Sequence, residues 1–290
     1  MLLERMARPF RGLSNGIASV MDTVYRPLGR PGKLLQDFLN GSWLGHSLHA
    51  VLVDVVIGAA TAGLLLDVLR VFFTVDGLET ATTWGIGLAY LSAVGSILTG
   101  LTDYKDTAPN SSERDVAGLH GLVNIVATGF FAFSFFTRLG GGHDAAFWFL
   151  LVGYLIVSIG GYIGGHVVFK YGYMVNHNAF SKGKRAKEFT PVLAVAELPE
   201  EVPTKVAFGT TAVMLVRRGD LVHALRETCS HAGGPLSKGE LKGDTITCPW
   251  HFSTFSLSDG SVVHGPAGSR QAWYRARVNE GQVELQGPFD

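Results

Sequence analysis

Two cysteines stand in a chain of 290 residues, too few for a disulfide framework of the kind that staples small secreted domains. Charge is scarce as well: 17% of residues are charged, and the 24 basic and 24 acidic side chains cancel. That balance excludes a nucleic-acid partner held by bulk positive charge. Polar punctuation is missing over stretches such as VLVDVVIGAATAGLLLDVL and GLVNIVATGFFAFSFF, which lack the polar stripe of a soluble bundle helix. The first 45 residues are rich in Arg and broken by Gly and Pro. They have no continuous apolar stretch followed by a small-residue cleavage site, so they are not expected to be a signal peptide.

What the chain does contain is apolar surface, with 47% hydrophobic residues, a mean hydropathy of +0.25 and 37 glycines. Four segments, at about 46–73, 82–102, 116–137 and 145–169, approach or exceed the ~20 residues needed to cross a bilayer core. Gly58, Gly63, Gly95, Gly100, Gly160 and Gly164 are among the small residues that let membrane helices pack closely. The expected fold is a transmembrane four-helix bundle over 46–170, preceded by an interfacial segment over 1–45. Within that segment, Lys33–Asn40 puts Leu34, Leu35, Phe38 and Leu39 on one side of a helix at the membrane surface, anchored by Trp43. A frayed terminal arm is the competing expectation. Arg5, Arg8, Arg11, Arg26, Arg30, Lys33, Lys105, Arg114, Lys170, Lys182, Lys184, Arg185 and Lys187 fall on one side of alternating helices. Only Arg70 and Arg138 fall on the other, which places both termini in the cytoplasm of a multi-pass cell-membrane protein.

Beyond residue 170 the composition changes. A linker over 171–188 leads to alternating runs such as TAVMLVRRGDLVHAL, DTITCPW and QAWYRARV, separated by Gly-Asp and Asp-Gly turns, so 189–290 is expected to be a small all-β domain. Both cysteines lie in it, in CSHAGGPLSKGELKGDTITCPWH. A zinc site can use two thiolates and two imidazoles, but zinc fingers pair the cysteines first and the histidines second. Here the order alternates. Cys229-x-His231 and Cys248-x-x-His251 are two loops, each bringing one thiolate and one imidazole to opposite ends of a two-metal unit.

The motifs CSHAGGPL and CPWH, with the GPA loop at Gly265–Ala267, resemble the Rieske family, whose [2Fe–2S] cluster is held by two Cys and two His. The resemblance spans about 191–287. It implies that Cys229, His231, Cys248 and His251 are the cluster ligands, that the Gly265–Ala267 loop with Pro266 covers the cluster, and that both histidines lie near the surface. Gly233, Gly234 and Pro235 permit a tight loop whose N–H groups can point at sulfur. Respiratory members of the family carry an extra disulfide and hydroxyls two and four positions after the second His. This chain has no spare Cys, and it has Ser253 but Phe255, so it is closer to the low-potential ferredoxin type. A ring-hydroxylating oxygenase needs a large domain after the cluster, and 39 residues follow His251. His223 and His264 are expected to be strand or loop residues.

The helical part resembles an uncharacterised bacterial family of four-helix membrane proteins, through GHSLHAVLVDVVIGAA, LTGLTDYKD, DVAGLHGLVNI and GGYIGGHVVFKYG. Its His46, His49, His120 and His166 are expected at one membrane level, where they could hold a haem b or line a quinone pocket, with Asp54 and Asp103 as second partners. Together these readings imply a membrane-anchored iron–sulfur protein that carries single electrons at the cytoplasmic face. It would be a component of an oxidoreductase system, with unidentified donor and acceptor. The alternatives are a tethered ferredoxin serving a separate oxygenase and a non-redox scaffold or iron sensor.

Overall fold

The computed structural model describes residues 2–179 and 186–289. Lys182, Lys184 and Arg185, counted above on the basic side, lie outside the described residues, as does part of the expected linker. The chain forms two compact units. One takes the residues up to Gly32 together with Ser47–Tyr171, and the other takes Lys33–His46 together with the chain from Gly172 onward.

In the helical unit, α1 (Leu2–Ala7) and α2 (Arg11–Tyr25) precede four long helices: α4 (Leu48–Phe73), α5 (Glu79–Lys105), α6 (Ser112–Leu139) and α7 (His143–Tyr171). All four are long and apolar enough to cross a membrane. Hydroxyls within them are satisfied locally, Thr82, Thr99 and Thr102 each donating to the carbonyl four residues back, so no polar group is left facing lipid at those points. The Ser111 side chain caps α6 by accepting from Arg114 N at 3.0 Å. The residues up to Gly32 are not a frayed arm. Arg11 forms two hydrogen bonds from Nε and one from Nη2 to the Asp115 carboxylate, and Tyr25 Oη meets Thr102 Oγ1 at 2.7 Å.

The four long helices are a hairpin repeated twice, a feature not read in the sequence. The buried residues Val56, Ala60, Gly63 and Asp67 of α4 are matched, 71 positions later, by the buried Ala127, Phe131, Ser134 and Arg138 of α6. Every buried residue of α7, from Ala146 to Val167, lies 64 positions after a buried residue of α5. Where the repeat brings Asp67 and Arg138 together, they form an ion pair with both side chains fully buried.

The other unit begins with most of α3 (Gly29–Asn40), on which Leu34, Leu35 and Phe38 are exposed and Phe38 stacks on Trp43 at 5.7 Å. His46 is not in a membrane helix as expected. Ser47, with extended backbone angles, is the N-cap of α4, so His46 lies before it and belongs to this unit. Among the described residues ten strands follow: β1 (Ala186–Ala194), β2 (Thr204–Phe208), β3 (Thr211–Arg218), β4 (Leu221–Arg226), β5 (Glu240–Lys242), β6 (Thr245–Thr247), β7 (Thr254–Ser256), β8 (Val262–His264), β9 (Trp273–Asn279) and β10 (Gln282–Phe289). They build two antiparallel sheets, in the orders β1-β10-β9-β4-β3-β2 and β5-β6-β7-β8. Between the sheets, Met214, Leu225, Leu236, Ile246, Phe255 and Leu257 form one core that also contains both cysteines.

Candidate metal centre

Three connections of the smaller sheet converge on the two cysteines. The chain from β4 to β5 carries Cys229 and His231, that from β6 to β7 carries Cys248 and His251, and that from β8 to β9 carries Gly265–Ala267. The two Cys loops have the same backbone. Cys229 N donates to Gly234 O at 2.8 Å and Gly233 N returns to Cys229 O at 3.0 Å; Cys248 N donates to Ser253 O at 2.8 Å and Phe252 N returns to Cys248 O at 3.1 Å. The fifth residue of each loop is left-handed, Gly233 at φ +80° and Phe252 at φ +61°. Glycine takes that conformation freely, whereas at Phe252 it is a local strain, held by the loop's own hydrogen bonds.

The sulfurs lie against each other at the centre. Of the tight loop expected to aim its N–H groups at sulfur, the Gly233 amide is engaged by Cys229 O, and the N–H groups of His231 and Ala232 donate to the Cys229 sulfur, as those of Trp250 and His251 do to the Cys248 sulfur. The Cys229 thiol donates to Cys248, which pulls the Cys248 pKa down, while the same bond and then burial push that of Cys229 up. The rings of His231 and His251 stand 5.0 Å apart, crossed at 86°. A Cβ on Gly234 would come within 2.6 Å of Cys248 Sγ, so only glycine fits there. Ser253 Oγ accepts from Ala267 N at 3.1 Å and fixes the third loop over the centre, with Pro266 buried in it. Phe255 is fully buried in the same core.

His231 departs from expectation. It is 4% exposed, and burial, then His251, hold its imidazole neutral with a pKa pushed down to about 3. The cover comes from the segment after α7. His177 N donates to Ser230 O at 2.9 Å, Asn178 Nδ2 to Thr228 O at 3.0 Å, and the Tyr173 ring lies 6.0 Å from that of His231. Gln271, fully buried, donates from Nε2 to Arg226 O and Thr228 O and accepts from Ser230 N. None of Tyr173, His177 and Gln271 was singled out in the sequence, where no spacing ties them to the cysteines. His251 is half-buried, flanked by the exposed Trp250 and Phe252. His223 lies in β4, and His264, ending β8, meets Asp37 Oδ1 through Nδ1 at 2.7 Å, with Gly265 N donating to the same oxygen at 3.0 Å.

The donor set suits a two-iron cluster. Both cysteines are free, and both ring nitrogens of His231 are buried without a hydrogen-bond partner among the described residues. Such nitrogens are costly unless something binds them.

The fold and this centre define a Rieske-type β domain joined to a helical membrane unit. Residues 188–275 match the model of the Rieske [2Fe–2S] domain and residues 45–177 that of a predicted membrane protein family, DUF2231. The chain belongs to the Rieske family through the first of these, and that domain implies a [2Fe–2S] cluster. It is 33% identical over 79 residues to ferredoxin CarAc of Metapseudomonas resinovorans, covering 27% of this chain and 74% of that protein. It is 42% identical over 69 residues to the cytochrome bc1 complex Rieske iron–sulfur subunit of Streptomyces lividans, covering 23% and 41%. With the anthranilate 1,2-dioxygenase ferredoxin subunit of Burkholderia cepacia it shares 29% identity over 98 residues, covering 34% and 91%.

Proposed function

We propose that the protein is a membrane-anchored one-electron carrier whose [2Fe–2S] cluster is bound by Cys229 and Cys248 on one iron and His231 and His251 on the other. The observation that carries this reading is the pair of equivalent loops, which bring two free thiols into contact and two imidazole rings to 5.0 Å from each other, and leave both nitrogens of His231 without a hydrogen-bond partner among the described residues. When bound, the cluster supplies the one-electron chemistry. The chain's own groups tune it: four backbone N–H groups aimed at sulfur stabilise the more negative reduced state. Tyr173 and the chain around it exclude water from His231, and His251 is the half-exposed side at which a partner can approach.

In this proposal the domain and both termini are cytoplasmic, supported by the Lys and Arg excess at one end of the long helices. The partner is a redox component in or near the membrane, and the helical unit holds a haem b, rather than a quinone, on histidines from the set His46, His49, His120 and His166. A second reading, a tethered ferredoxin serving a separate oxygenase, is favoured by the likeness to a dioxygenase ferredoxin subunit. The test is the low-temperature EPR spectrum of the reduced, detergent-purified chain, with iron and acid-labile sulfide assays. The expected result is a Rieske-type signal, lost on replacing Cys229, His231, Cys248 or His251 by Ala. Stoichiometric zinc without sulfide overturns the assignment. Full reduction by a soluble reductase, with no cofactor in the helical unit, selects the second reading.

A further inference from the structure

The repeat in the helical unit brings one pair of histidines together. His49 on α4 and His120 on α6 are 71 positions apart, the offset that relates the buried faces of these two helices, and their ring centroids lie 6.2 Å apart with planes crossed at 82°. Each ring is anchored in the same way. His49 Nδ1 lies 2.8 Å from Ser96 O on α5 and His120 Nδ1 lies 2.9 Å from Gly160 O on α7, and positions 96 and 160 are themselves equivalent, 64 apart. A carbonyl oxygen only accepts, so in both rings Nδ1 carries the proton and Nε2 a lone pair. Glycines make room for the anchored edges: a Cβ on Gly100 would come within 2.9 Å of the His49 ring, and one on Gly164 within 2.7 Å of the His120 ring. Positions 100 and 164 are equivalent too.

Two imidazoles in the same tautomer cannot satisfy each other through Nε2, because both are acceptors there. Asn124 Nδ2 donates at 2.8 Å to the His120 carbonyl and lies 3.2 Å from His120 Nδ1 and 3.5 Å from its Nε2, the last a long contact at the limit of a hydrogen bond, and among the described residues no hydrogen bond is seen at His49 Nε2. At the other end of the same two helices the repeat pairs opposite charges, Asp67 with Arg138, and that layer is complete in itself. The histidine layer instead calls for an electrophile that takes two nitrogen lone pairs. Imidazoles on opposite sides of one metal, each bound at about 2 Å, have ring centres roughly 6 Å apart, close to the spacing seen here. A backbone-anchored Nδ1–H is the arrangement that orients a metal-binding imidazole. Among the described residues no third His, Cys, Asp or Glu joins the pair. Two imidazoles alone suit an iron whose other positions are already filled by a flat macrocycle.

We infer that His49 and His120 are the two axial ligands of a haem b held across the repeat axis of the bundle. The inference rests on the proposed redox role and narrows its four candidate histidines to two. His46 is excluded because it lies outside the membrane helices, and His166 is the rival, since its Nε2 is buried without a hydrogen-bond partner among the described residues. His166 has no counterpart in the repeat, where the equivalent position is Thr102. Asn124 would swing away from Nε2 while keeping its bond to the His120 carbonyl.

The test uses the full chain purified in detergent from cells supplied with haem. The wild type should give a b-type reduced-minus-oxidised visible spectrum and about one haem per chain by pyridine extraction. His49→Ala and His120→Ala should each abolish or strongly shift that spectrum, whereas His166→Ala and His46→Ala leave it in place. The [2Fe–2S] EPR signal, retained in all four variants, shows that the chain has folded. A cluster signal without haem in the wild type overturns the inference and leaves the electron-carrier reading standing; so does a haem whose spectrum depends on His166 but not on His49 or His120. Loss of both signals from the wild type overturns both.

Discussion

At Gly234 one methyl group decides whether the centre can form. A Cβ there would sit 2.6 Å from Cys248 Sγ and 3.2 Å from the Trp250 ring, and neither can retreat, because the Cys248 loop is closed by backbone bonds on both sides. Overpacking of this kind costs about 1–3 kcal/mol in an ordinary core. In a site that must also admit a cluster, we expect Gly234→Ala to retain the β fold while losing most of its iron and acid-labile sulfide. Circular dichroism and metal analysis check this; full cluster occupancy would show that the loop can shift. The four Cys and His could be picked out as candidate ligands because their spacing is local, two and three residues within each loop. The burial of His231 was not, because Tyr173 reaches it from 58 positions before and Gln271 holds the neighbouring Ser230 from 41 positions after. Nor could the sequence tell which N–H groups aim at sulfur. That depends on the closure of each loop, which turns the Gly233 and Phe252 amides back onto the cysteine carbonyls.

The long helices were readable as elements because length and apolarity alone identify them, yet their repeat was invisible. Position by position the two halves share burial rather than identity: Ala60 answers to Phe131, Gly63 to Ser134 and Asp67 to Arg138. In the last case the chemistry is reversed, acid for base, and this reversal is what lets the halves pair. The ion pair lies 18 residues beyond His49 and His120 along α4 and α6, about 27 Å of helix, so the two layers stand near opposite boundaries of an apolar core roughly 30 Å thick. Removing one partner of a buried pair costs about 3–5 kcal/mol, whereas replacing both by apolar residues of similar size is often neutral. Asp67→Ala and Arg138→Ala should therefore each lower the unfolding midpoint of the detergent-solubilised chain strongly, and the double variant Asp67→Leu with Arg138→Leu should recover most of the loss. Equal destabilisation of the double and single variants would mean that the charges act separately.

At the scale of the whole molecule the open quantity is which side of the membrane holds the cluster. The basic end of the bundle carries Lys105, Arg114 and Lys170 at helix ends, with Arg5, Arg8, Arg11, Arg26 and Arg30 on the chain that precedes them. The opposite end carries Arg70 and Arg138, which are engaged with Asp144 and Asp67. Orientation follows Lys and Arg near helix ends rather than net charge, so the imbalance holds although the chain as a whole is neutral. Four crossings, one by each of the long helices, would put the residues before α4 and those after α7 on the same side. A cytoplasmic reporter fused at the C-terminus should be active and an exported phosphatase fused there inactive, with the reverse for fusions in the α4–α5 connection at 74–78. Moving the basic residues should move the protein. Replacing Arg5, Arg8, Arg11, Arg26 and Arg30 by Gln while adding Lys to the 74–78 and 140–142 connections should raise the exported fraction of the C-terminus. An exported C-terminus in the wild type would place the cluster outside the cytoplasm and require its electron donor to be sought there.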